Sequence, residues 1–281
     1  MTGELRRAAF GDLPAPVPAL LTRAQAPRAK LLAAIVLGAQ GRYAAAAALL
    51  TELGRERDPV VAAHSLTTLA SHRRQLGGHA AARPRDAAAL RLASSVDLSA
   101  DAGEDPDGLD ARGALADALL GLAADSVGAG RPAVARRFAS AAAPHLTSWR
   151  TRVRAGWVAA EIEFVDGRPA AAVDPAETAF QLATAAGASR HVVKSGLVLA
   201  AALAETGAVD RARDLVSDAV GATEKYELRS LAWPACLLAA RLWPETANHH
   251  RFRVDAVLHA VLLRSDPEGR RLAGESPWVP V

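Results

Sequence analysis

The 281-residue chain has one cysteine, Cys236, one methionine and one asparagine, Asn248. A single cysteine excludes an intrachain disulfide framework and fits a reducing cytoplasm; its expected place is inside a helix, as a small apolar residue. Aromatic residues are only 4% of the chain although hydrophobic residues reach 51%. Alanine makes up the difference, and the valine, isoleucine and aromatic enrichment that strands want is missing. Neither sign of charge is in excess: 33 basic residues face 30 acidic ones, a net +3. That balance argues against direct nucleic-acid binding despite a sequence pI near 9.5. The longest apolar stretches, such as Leu31 to Ala39 and Ala44 to Leu50, fall short of a membrane span. Glu4, Arg6 and Arg7 stand ahead of Pro14, Pro16 and Pro18 where a signal peptide would need an unbroken apolar region. The expectation is a cytoplasmic protein with no membrane insertion.

Catalytic signatures are missing too. The chain carries no phosphate-binding glycine loop, paired-cysteine metal pattern, HExxH motif or GxSxG elbow. His249 and His250 are adjacent and point apart on a helix, while His64 and His72 have no third ligand at metal spacing. Asp117 and Asp125 share a helical face, but two carboxylates make an acid and base only inside a pocket that separates their pKa values. No catalytic residue, metal ligand or cofactor is assigned, and the chain is read as a binding protein rather than an enzyme.

What the sequence does contain is a recurring glycine-centred turn between helical runs. Gly41, Gly78, Gly130, Gly167 and Gly207 are read as equivalent, at spacings of 37, 52, 37 and 40 residues, close to the period of two-helix repeats. Seven residues earlier stand Ala34, Ser71, Ala123, Ala160 and Ala200, all small, where paired helices must approach closely. In the first unit Ala34, Gly41, Tyr43, Ala46, Leu50 and Leu53 are followed by Pro59. This segment resembles the tetratricopeptide repeat family, and the resemblance extends, with degenerate later units, over roughly residues 28 to 223. It lacks the family's early tryptophan, and only Tyr43 supplies the aromatic after the turn. The resemblance implies an all-α, right-handed α-solenoid of about five helical hairpins with C-terminal capping helices. It also implies a concave groove that binds a peptide or protein segment.

The expected organisation is an N-terminal extension over 1–27, repeats one and two over 28–96, and repeats three to five over 111–223. Capping helices over 224–264 and an irregular tail over 265–281 complete the chain. The 52-residue spacing is explained by an insertion at 97–110, DLSADAGEDPDGLD, whose six acidic residues, two glycines and one proline mark an exposed loop. It lacks the ligand pattern of a calcium-binding EF-hand loop, and Asp110 is placed to cap the next helix. Val254, Val257, Leu258, Val261 and Leu262 form one apolar stripe, suited to closing the end of a solenoid; a homodimer surface is the alternative.

The candidate site lies in repeats four and five. Ser148 and Ser189 each precede a helical run as expected N-caps, and each is followed by two cations one turn apart: Arg150 with Arg154, and Arg190 with Lys194. Cations in a first turn oppose the helix dipole, so local helix stability does not explain them, whereas an anion would. The competing reading makes them ordinary surface arginines paired with Asp166, Asp174 or Glu177. Trp157 falls on the stripe Trp149, Val153, Trp157, Ala160, Phe164, a helix core with Trp157 itself as the candidate exception. In the tetratricopeptide-like register it would face the groove with Glu161 as part of a partner-binding surface. The expected partner is a protein or peptide, in one version with an acidic segment. A regulatory receptor for a small anionic ligand is the alternative. The asparagine-based carboxylate clamp known in that family has no counterpart here, since Asn248 is the only asparagine.

Overall fold

The computed structural model describes residues 2–15, 18–98 and 104–280. Among these the chain is all-helical, with no strand. Two short N-terminal helices, α1 (Thr2–Phe10) and α2 (Pro18–Thr22), precede six antiparallel hairpins. These are α3 (Pro27–Ala39) with α4 (Tyr43–Leu53), α5 (Pro59–Gln75) with α6 (His79–Ser94), and α7 (Ala111–Gly128) with α8 (Pro132–Ala142). They continue as α9 (Trp149–Val165) with α10 (Pro169–Ala185), α11 (Ser189–Glu205) with α12 (Val209–Lys225), and α13 (Arg229–Leu242) with α14 (Ala247–Leu263). A last helix, α15 (Pro267–Glu275), follows.

Alanine sets the closeness of this packing. Glycines in the left-handed region, with φ between 65° and 85°, end the first helix of five hairpins: Gly41, Gly77, Gly130, Gly167 and Gly207. The second member is therefore Gly77 and not Gly78, a register correction of one residue. Counting seven back from Gly77 gives Ala70 in place of Ser71, and Ala34, Ala70, Ala123, Ala160 and Ala200 are then all fully buried. At these positions the first helix of each pair presents only a methyl group, which lets the packed backbones come close there. Asp58, Asp110 and Ser148 cap α5, α7 and α9 through their side chains. Ser189 does not cap α11. It is the first helical residue, and its N–H donates instead to the Gly11 carbonyl at 3.2 Å.

The first helices of the hairpins touch in sequence, α3 to α5 to α7 to α9 to α11 to α13, and α13 then packs back on α3. The array is thus a closed ring of six hairpins, one more than the glycine count suggests, because the turn inside the last pair, between α13 and α14, is the 3-10 segment Pro244–Thr246 and holds no left-handed glycine. At the seam the Ala44 N–H donates to the Arg264 carbonyl at 2.8 Å. Beside it the buried Arg73 reaches Asp266 at 2.8 Å and Glu268 at 3.0 Å. The stripe residues Val254, Leu258 and Val261 of α14 are buried here, in one core with Tyr43 and Leu76.

Three segments differ from the sequence reading. Within 1–27, α1 is part of the core: Leu5, Ala8, Ala9 and Phe10 are buried against α3 and the residues before α7. Within 265–281, Asp266 caps α15 through the Gly269 N–H, so the tail is partly helical, while Trp278 is exposed. Of the acidic insertion, residues 99–103 lie outside the described part, but Asp107, Gly108, Leu109 and Asp110 are buried. Arg6 of α1 draws Asp105 and Asp107 inward, and the Asp105 carboxyl falls to about 2 because that guanidinium and backbone N–H groups outweigh its burial.

Candidate functional site inside the ring

Helical spacing puts Arg150, Arg154, Trp157 and Glu161 on one face of α9, and Arg190 and Lys194 on one face of α11. Those faces look into the ring. Arg190 lies within electrostatic range of His72 and Tyr43, on the second and first hairpins, and Lys194 within range of Arg74 on α5. Such pairs bridge opposite sides of the array.

The four cations do not play one role. Arg150 is a structural residue, 5% exposed. Its guanidinium donates to the Asp107 and Gly108 carbonyls at 2.5 and 2.9 Å and to Asp117 at 2.8 and 3.2 Å. Four of its five N–H donors are taken up within the fold, so the four-residue anion patch is corrected by its removal. Arg154 also binds Asp117, and the partners Asp166, Asp174 and Glu177 are not used by either arginine. Asp117 is the centre of this knot, with His64 Nδ1 3.3 Å from the same Oδ2 that Arg150 binds. Burial alone would raise its carboxyl, but Arg150 and Arg154 hold it far below the usual carboxylate range.

Lys194 is held more loosely. Its ammonium is 4.0 Å from Glu161 and 4.4 Å from the Trp157 ring centre, and about a third of each charged side chain, 34%, remains accessible. Its pKa is nonetheless lowered, first by burial and then by Arg190, Arg154 and Arg74 against the opposing Glu161. Arg190 is the least compensated: among the described residues no carboxylate stands at ion-pair distance, and its buried Nε has no hydrogen-bond partner. Burial and the charge of Arg154 lower its pKa.

Trp157 is not an exposed anchor. It is 6% exposed, its indole N–H donates to Ser195 Oγ at 2.8 Å, and it stacks on His191 at 5.6 Å. His191 is kept neutral by burial and by the surrounding cations. Trp157 therefore forms the floor beneath Lys194 rather than a surface for a peptide.

A second knot was not visible in the sequence. Arg74 binds both Asp86 and Asp125, the latter at 3.0 Å. Asp86 is fully buried, and its carboxyl is pushed up to about 7 by burial, with Asp125 adding to the effect and Arg74 opposing it. Both carboxylates meet on one nitrogen of Arg74, and their burial and mutual repulsion favour a proton shared by the pair. The one available signal was that Asp117 and Asp125 interrupt the apolar run ALADALLGLAADSV of α7, since buried aspartates require buried partners.

No protein-family model matches the chain, and no curated protein matches it. Among the described residues no helix is long and apolar enough to cross a membrane.

Proposed function

We propose that the chain is a non-catalytic helical-repeat receptor that takes a small anionic ligand inside its ring. The observation that carries this reading is Arg190, a guanidinium turned into the ring without a carboxylate of its own. Around it Arg154 and Lys194 also have lowered pKa values, so three cations repel one another in a dehydrated space. An anion would relieve all three. The closed seam favours this over a peptide in a concave groove, because α13 packs on α3 where an extended segment would enter. We read the hairpins as tetratricopeptide-like, the superhelix as right-handed and the protein as cytoplasmic, all on the sequence pattern.

The test is calorimetric titration of the full chain at low salt with inorganic phosphate and small mono- and dicarboxylates, repeated with Lys194→Gln. Saturable binding that weakens with salt and with the substitution supports the receptor reading. No heat from any of these anions, with an acidic peptide binding instead, would replace it with the peptide reading.

A further inference from the structure

We infer that the anionic headgroup of the ligand seats at the ring seam, on Arg190, Ser230, His72 and Tyr43, and so binds the first two hairpins to the last two. This rests on the receptor reading above and locates its site. The observation is a convergence of buried polar groups short of partners. Arg190 Nε on α11 and His72 Nδ1 on α5 are buried without a hydrogen bond, and the buried Ser230 Oγ on α13 has no partner but the Tyr43 phenol beside it. Ser230 is 2% exposed and His72 4%. Buried polar atoms are nearly always satisfied, and each exception calls for a specific partner. These three groups share one neighbour. Tyr43 has the Ser230 hydroxyl beside its phenol, lies within electrostatic range of Arg190, and faces the His72 ring at 5.3 Å.

The chemistry of the set selects the ligand. Arg190 supplies a permanent cation with a forked donor, Ser230 and Tyr43 supply hydroxyls, and His72 supplies a ring N–H in a neutral imidazole. Burial, together with Arg190, Arg73 and Arg74, pushes His72 down to about 3, so it does not add a second charge. One guanidinium surrounded by neutral donors fits a single carboxylate or phosphoryl headgroup. Tyr43 already donates to Gln75 Oε1 at 2.8 Å, which fixes the phenol in place as part of the wall.

The location also gives the ligand a structural effect. Tyr43 and His72 belong to the first and second hairpins, whereas Arg190 and Ser230 belong to the fifth and sixth. A headgroup touching all four binds the closed ring and not an opened one, and shifts the population toward closure. The Ala44 amide, bonded across the seam to Arg264, reports that closure directly.

The test titrates inorganic phosphate and, separately, succinate into the full chain at low salt, with hydrogen exchange of the Ala44 amide as a second readout. The expected result is binding of at least one anion, slower exchange at Ala44 on saturation, and roughly tenfold or greater weakening in Arg190→Gln. Ser230→Ala should weaken binding by about threefold or more. Phosphate alone binding identifies a phosphoryl headgroup; succinate alone identifies a carboxylate. Binding that survives both Arg190→Gln and Ser230→Ala but is removed by Lys194→Gln would place the ligand elsewhere in the ring, overturning this inference while leaving the receptor reading standing. No binding of either anion by the native chain overturns both. If Arg190→Gln does not fold, Ser230→Ala and the Ala44 exchange decide the matter, and unchanged values in both refute the seam site.

Discussion

The Asp117 carboxylate accepts a 2.8 Å hydrogen bond from the Arg150 guanidinium, and the two side chains are only 3% and 6% exposed. One aspartate of α7 thereby holds the first turn of α9, while Arg150 in turn holds the Asp107 and Gly108 carbonyls of the segment before α7. The ring wall and the acidic insertion are fixed by the same arginine.

Asp117→Ala should therefore be severe. It leaves Arg150 and Arg154 as dehydrated cations without their shared counter-ion, a change that costs about 3 to 5 kcal/mol when one partner of a buried pair is removed. Chemical denaturation should show that loss. The pH dependence has a definite sign: because the folded carboxyl lies far below its ordinary value, its stabilisation is complete above about pH 4 and declines only as the pH falls further. A difference between native and variant that shrank between pH 7 and pH 5 would contradict this.

Asp86 should behave in the opposite way. Its carboxyl titrates near 7 in the folded chain and near 4 when unfolded, so the folded state binds the extra proton between those values. Through this group the native chain loses stability as pH rises from about 4 to about 7. Asp86→Asn, which carries no titrating proton, removes that slope. Urea midpoints of native and variant chains, followed from pH 5 to pH 8, should diverge in the variant's favour as the pH rises; parallel curves would show that the Asp86–Asp125 pair does not share a proton.

Phe10 tests whether α1 belongs to the ring. The ring of Phe10 is 6% exposed, lies 6.2 Å from His191 and carries the Arg150 guanidinium at 5.5 Å. Phe10→Ala should cost about 3 to 5 kcal/mol, as for other buried phenylalanines. Amides of α1 should exchange slowly in the native chain and rapidly in the variant. Fast exchange in both would detach α1 from the fold.

The hairpins were legible because their signal is local: a left-handed glycine, a small residue seven positions earlier, and Asp or Ser at a cap. Even the error of one residue at Gly77 and Gly78 corrects itself once Ala70 is seen to be the buried member. Ring closure was not legible, since Gly41 meeting Val261 leaves no periodic trace in either segment. The basic face of α9 and α11 could be read from spacing, but not that Arg150 is consumed by Asp117, which lies 33 residues away and on another helix. Arg190, Ser230 and His72 share no motif at all; only the closed ring brings them together.

Gly38 poses a conflict that decides between local and tertiary control. It sits inside α3, where alanine would favour the helix by about 1 kcal/mol. A Cβ at this position would stand 2.1 Å from His72 Nε2, against an imidazole that is 4% exposed and packed beside Tyr43. At that distance the imidazole has to shift, and overpacking of this kind costs about 1 to 3 kcal/mol. Gly38→Ala should thus destabilise the chain in thermal unfolding despite its better helix propensity. It should also displace His72 from the seam, so anion affinity should fall together with stability. A more stable variant with native affinity would mean that α3 and α5 are not in close contact at this point, and the seam site would lose one of its walls.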